Sequence, residues 1–146
     1  MRMMHCAIVA AALVAAACDA TGSGNIGISG VGGSGSATHL VFTVQPSTTH
    51  AGLAISPAIQ VAAASGAGAT DPTFTNSVTM ALGVNPGAGT LSGTTTVQAV
   101  SGVATFSNLS INNAGAGYTL VASTPTRTPA SSSAFTITAP SPVAPR

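Results

Sequence analysis

Between residues 39 and 138 a cluster of Gly, Pro, Asn or Ser interrupts the chain roughly every ten residues, and that punctuation limits the fold more than any other feature. Short strands fit between such turns, whereas amphipathic helices need longer uninterrupted runs. Residues 39–44 place Leu40, Phe42 and Val44 on one face before Pro46 ends the run. Ile59, Val61 and Ala63 alternate with Gln60, Ala62 and Ala64, and residues 65–68 turn the chain. Val78, Met80 and Leu82 form a third alternating run, followed by a turn at 85–89. Residues 91–100 read as one polar, Thr-rich strand suited to an edge or a solvated sheet face. A turn at Ser101-Gly102 leads into residues 104–111, and residues 112–117 turn again. Tyr118, Leu120 and Ala122 then face inward together, and residues 135–137 close the set. About seven short strands so spaced are the signature of an antiparallel β-sandwich.

Charge excludes several functions. Only 3% of residues are charged: Arg2, Arg127 and Arg146 against Asp19 and Asp71, a formal net charge of +1. With no Lys and no Glu, no basic patch for nucleic acid can assemble. General acid–base catalysis, oxygen-ligand metal cages and phosphate clamps need grouped carboxylates, imidazoles or cations, which this chain lacks. The expectation is a protein that is not an enzyme, with no cofactor, no metal and no small-molecule substrate.

The amino terminus reads as an address. Arg2 precedes the apolar run 6–17, which ends in Ala15-Ala16-Ala17, the form of a secretory signal peptide. That run is too short for a permanent transmembrane helix. Leu13-Val14-Ala15-Ala16-Ala17-Cys18 resembles the lipobox of bacterial lipoproteins, and the resemblance implies lipidation of Cys18 (a diacylglyceryl group and acyl chains such as palmitate) and a membrane partner reached through that lipid. The family usually has Leu three residues before the cysteine, where this chain has Ala15. The alternative is cleavage after Ala17 or Ala20, leaving a free secreted protein. Cys6 falls inside the segment to be removed, so the folded region carries no cysteine and is not a disulfide scaffold. Asp19 after the cysteine resembles an inner-membrane retention signal in some bacteria, and the choice between inner and outer membrane stays open.

The chain accordingly divides into a signal peptide (1–17), a lipidated Cys18 with a flexible Gly/Ser-rich tether (18–38), a β domain (39–138) and a Pro-rich tail (139–146). Twenty such tether residues span roughly 25 Å. Gly22-x-Gly24-x-x-Gly27 and Gly30-x-Gly32-x-x-Gly35 match the dinucleotide-binding pattern by letter, yet neither follows a strand or opens a helix.

The segments Leu40-Val41-Phe42-Thr43-Val44-Gln45-Pro46, Ser77-Val78-Thr79-Met80-Ala81-Leu82, Gly89-Thr90-Leu91-Ser92-Gly93-Thr94-Thr95, Gly102-Val103-Ala104-Thr105-Phe106-Ser107-Asn108-Leu109-Ser110-Ile111 and Gly117-Tyr118-Thr119-Leu120-Val121-Ala122 resemble the bacterial Ig-like domains of invasin and intimin type. The resemblance covers 39–138 and implies an all-β fold, a single Ig-like antiparallel sandwich used in adhesion or spacing at a bacterial envelope. Where that family often carries Asp-x-x-Gly-Asn, this chain has Ser65-Gly66-Ala67-Gly68-Ala69-Thr70-Asp71, and it holds one copy with no internal repeat.

Tyr118, Phe42, Phe106 and Phe135 are expected to be structural, and Phe74 to cap one end of the sandwich. Tyr118 follows a Gly-rich turn at a strand start, where sandwich domains place a tyrosine whose hydroxyl bonds upstream backbone. His39, His50 and Asp71 are the candidates for chemistry in the folded region; no Gly-x-Ser-x-Gly nucleophile accompanies them, and two histidines with one Asp fall short of a four-ligand zinc site. The histidines are expected to be solvated, and 94–96 and 131–133 to be exposed strand and loop. Hydroxyl-rich strand faces can bind glycans, but a carbohydrate-binding module predicts an aromatic platform, and the absence of Trp with a single inward Tyr argues against it. A remnant of a larger repeat protein is the third possibility. The partner, protein or glycan, is not written in the sequence.

Overall fold

The computed structural model describes residues 36–140 and 142. The signal peptide, Cys18, the tether to residue 35 and most of the tail lie outside the described residues.

The described residues form strands and turns, with no helix among them. In chain order the strands are β1 (His39–Val44), β2 (Thr49–His50), β3 (Ile59–Ala64), β4 (Ser77–Leu82), β5 (Leu91–Ser92) and β6 (Thr96–Gln98). They continue as β7 (Val103–Phe106), β8 (Ser110–Ile111), β9 (Gly115–Tyr118), β10 (Leu120–Thr124), β11 (Arg127–Ser131) and β12 (Phe135–Thr138). Seven make the main sheet in the order β6-β4-β10-β11-β1-β3-β7, while β2-β12-β9 and β5-β8 form two small sheets.

The main sheet curls until its edge strands approach each other. Val100 and Val103 exchange backbone bonds of 2.9 and 3.0 Å around Ser101 (φ 49°) and Gly102 (φ 86°). Positive φ at both central residues is the type I′ pattern, whose twist matches that of the flanking strands. This turn carries β6 into β7, so the two ends of the sheet meet at one point and the sheet is nearly closed and barrel-like.

Alternation decides what fills the interior. Leu40 and Phe42, Ile59 and Val61, Val78 and Met80, Ala104 and Phe106, Leu120 and Ala122, and Phe135 and Ile137 are all buried in one cluster. Full burial of a large apolar side chain contributes roughly 1.5–3 kcal/mol.

Several local expectations are corrected. The strand expected over 91–100 is two strands, because Gly93 sits at φ 104° with its Cα against the Asn108 carbonyl, a place where a side chain has no room. Part of the expected turn at 112–117 is strand β9, paired with β12. Strand β11 was unexpected because Pro129 lies inside it; the proline is tolerated since β11 meets β1 through the single pair His39↔Thr128. The β1–β11 and β2–β12 pairings are parallel, so the sheets are mixed and not purely antiparallel. In β3 the alternation fails, with Val61 through Ala64 all buried. Ser132 is buried and not exposed: its hydroxyl accepts the Leu120 amide at 2.9 Å and donates to the Ser133 carbonyl.

Register defines two ends. At the near end, where the described chain begins, lie Ala37, residues 65–76, the turn 100–103 and the turn 124–127. At the far end lie residues 45–58, 83–95 and 107–119, and the chain leaves there along β12, where Thr138 pairs with His50.

Candidate functional site

Asp71 is a near-end turn residue, and its side chain is spent on backbone. Oδ1 accepts the Thr73 amide at 2.9 Å and the Thr73 hydroxyl at 2.6 Å, and Oδ2 accepts the Ala37 amide at 3.1 Å. The Asp71 amide donates to Ala63 and its carbonyl accepts from Phe74, so the residue ties the chain's first described segment to the loop after β3. The Thr73 hydroxyl, then the Ala37 and Thr73 amides, hold the carboxyl below its ordinary value; burial opposes them, and Arg127 adds a smaller pull in the same direction. Ala37 and Thr38, at the end of the expected tether, are thereby fixed: Ala37 is buried, and the Thr38 amide donates to Ala64 at 2.8 Å.

Tyr118 does the corresponding work at the far end. Its ring is fully buried against Phe135, centroids 6.1 Å apart, and its hydroxyl donates to the Asn113 carbonyl at 2.9 Å. The hydroxyl end lies among Gly87 and Gly89, where a Cβ would collide with it. Phe42 and Phe106 are also buried in the core. Phe74 is buried at the near end, with the Arg127 guanidinium 5.5 Å above its ring.

The histidines do not converge with Asp71. His39 is half-buried at the start of β1, its Nδ1 3.1 Å from the Thr38 hydroxyl. His50 is at the opposite end, exposed, with Nδ1 2.8 Å from the Thr138 hydroxyl and 3.0 Å from the Ala139 carbonyl. Among the described residues no three His, Cys, Asp or Glu side chains come together. Thr94 and Thr96 are exposed and Thr95 half-buried; the Thr96 hydroxyl lies 3.1 Å from that of Thr79 across β4–β6.

One concavity stands out at the near end. A shallow groove of about 440 Å³ is lined by Thr75, Asn76, Ser77, Gln98 and Pro125. Its side chains are assembled by register: Ser77 pairs with Gln98, and the Asn76 amide reaches Thr126 of the β10–β11 turn at 3.4 Å. None of these residues was singled out from sequence. They lie on three separate segments, and no local pattern marks a site that strand pairing creates. Beside the groove two buried polar atoms, Thr124 Oγ1 and Arg127 Nε, make no hydrogen bond, and these two residues face each other across the same turn.

No protein-family model and no curated protein matches the sequence.

Proposed function

We propose that this chain is an exported, lipid-anchored bacterial envelope protein that presents one Ig-like β-sandwich for adhesion, spacing or protein–protein contact and carries out no catalysis. The observation that carries the proposal is the use made of the chemistry-bearing side chains. Asp71 and Tyr118, in place of facing a substrate, each fasten a loop to the domain, and His50, on β2, bonds Thr138 on the strand where the chain leaves. A sandwich of Ig type is supported by the two strand groups β6-β4-β10-β11 and β1-β3-β7, which are joined by a single β1–β11 register pair on one side and by the β6–β7 turn on the other. It is supported also by the Tyr118 hydroxyl bonding five residues upstream, as in the tyrosine corner of such domains. The chain enters at one end and leaves at the other, an arrangement that suits a spacer. Export and anchoring rest on the apolar run and on Cys18 in its lipobox-like setting.

The deciding experiment is the intact mass of the protein recovered from membranes, beside a Cys18→Ala variant. The proposal expects acylation at Cys18 that disappears in the variant. An unmodified protein would place it free outside the membrane and remove the anchor.

A further inference from the structure

We infer that the near-end groove lined by Thr75, Asn76, Ser77, Gln98 and Pro125 is a binding site for an uncharged saccharide, recognised by hydrogen bonds and not by aromatic stacking. The contrast in how polar side chains are spent points to it. At the far end the asparagines serve the fold. Asn85 bonds both backbone groups of Gly89, Asn108 and Asn112 accept from the amides of Thr94 and Thr90, and Asn113 donates to Gly87. At the groove, by contrast, no partner among the described residues takes up the Gln98 amide or the Thr75 and Ser77 hydroxyls, and Asn76 spends only one donor, at 3.4 Å. All four residues are exposed around one concavity.

The ligand's chemistry follows from that set. A side-chain amide offers a donor and an acceptor side by side, and a hydroxyl offers both, so two amides and two hydroxyls match the paired hydroxyls of a sugar. No formal charge lines the groove. Arg127, the cation among the described residues, is not part of the lining, so a charged ligand would lose hydration without an ion pair from the groove wall. The hydroxyls continue outward from the groove: Thr96, Thr79 and Ser123 lie in register on adjacent strands, which are about 4.8 Å apart. A longer chain of sugars could run along that row. A volume of about 440 Å³ falls at the small end of ligand sites and suits a short segment of such a chain. Without an aromatic platform and with the groove open, binding is weak, in the millimolar range.

The inference does not depend on lipidation of Cys18. It is tested by proton–nitrogen NMR of the isotope-labelled protein titrated with cellotetraose, chitotetraose and maltotetraose. At least one sugar is expected to shift the signals of Asn76, Ser77 and Gln98, including the two side-chain amides, in a saturable way. Gln98→Ala and Asn76→Ala, each with an unchanged unfolding temperature, are expected to weaken that binding by about tenfold, the loss of one good hydrogen bond. Thr43→Ala, exposed on β1, is expected to leave it unchanged. Absence of saturable shifts with all three sugars, shifts centred elsewhere, or shifts that persist undiminished in Gln98→Ala would each overturn the site. Shifts produced at these residues by the neutral peptide Gly-Ser-Asn-Gly and not by any sugar would overturn the ligand class.

Discussion

The two ends of this domain solve the same problem with different chemistry. Loops at the far end are stitched by neutral side chains: four asparagines bond backbone, and the Tyr118 hydroxyl closes over Gly87 and Gly89. Loops at the near end hang on one ionised group, Asp71, and leave two buried polar atoms unmatched in the turn beside it. The asparagine bonds carry no titrating group, and that network fails through loss of packing. A carboxylate latch is strong while charged and fails when protonated. The difference shows how a chain with almost no charge can still make one of its two carboxylates decisive.

The largest expected effect is at the far end. Tyr118→Ala removes a fully buried ring and its hydroxyl bond, and is expected to cost about 3–5 kcal/mol, or to abolish folding, as read by denaturant unfolding. Tyr118→Phe keeps the ring and leaves the Asn113 carbonyl unpaired, for about 1–2 kcal/mol. If the two variants proved equally harmful, the hydroxyl and not the packing would govern that end.

Gly93→Ala comes next. The backbone there is at φ 104° and a methyl group meets the Asn108 carbonyl, so a loss of roughly 1–3 kcal/mol is expected, with β5 and β6 the first amides to lose exchange protection.

At the near end the sensitive variable is acid. Because the folded Asp71 carboxyl titrates below its ordinary value, the latch contributes in full above the unfolded value near 3.9, and that contribution is lost as pH falls through the folded one. Asp71→Asn is expected to lower the melting temperature at neutral pH and to flatten the acid limb of the stability curve. Asp19 is the only other acidic side chain in the sequence, so an acid limb unchanged in the variant would show that the latch is not the acid-sensitive element.

The smallest effect has the opposite sign. Thr124→Val replaces a buried hydroxyl that has no partner by a methyl of the same shape, and is expected to raise stability by about 1 kcal/mol. A loss of stability would mean that the hydroxyl is bonded in solution, and the near end would then be as well satisfied as the far one.

The strands over 39–44, 59–64 and 77–82 were legible because turn residues bound them and at least one face is apolar. The inward positions Phe42, Phe106, Tyr118 and Phe135 were legible for the same reason, since an aromatic on an apolar face has nowhere else to go. Strand β11 escaped notice because Pro129 is a poor strand signal, and it is tolerated where β11 and β1 share the single register pair His39↔Thr128. The groove escaped notice because Ser77 and Gln98 are ordinary surface residues until the β4–β6 register sets them side by side.

By itself the sequence determined that the folded region would be all strand and turn, with its aromatics inside and hardly a charge for chemistry, because residue type and turn spacing act locally. Only the tertiary structure decided that the main sheet nearly closes through Ser101 and Gly102, that Asp71 reaches back to Ala37, and that Thr75, Asn76, Ser77, Gln98 and Pro125 share a groove. Each of these is a meeting of segments distant along the chain. Such meetings are set by strand order and register, which depend on the packing of the whole core and are carried by no single stretch of residues.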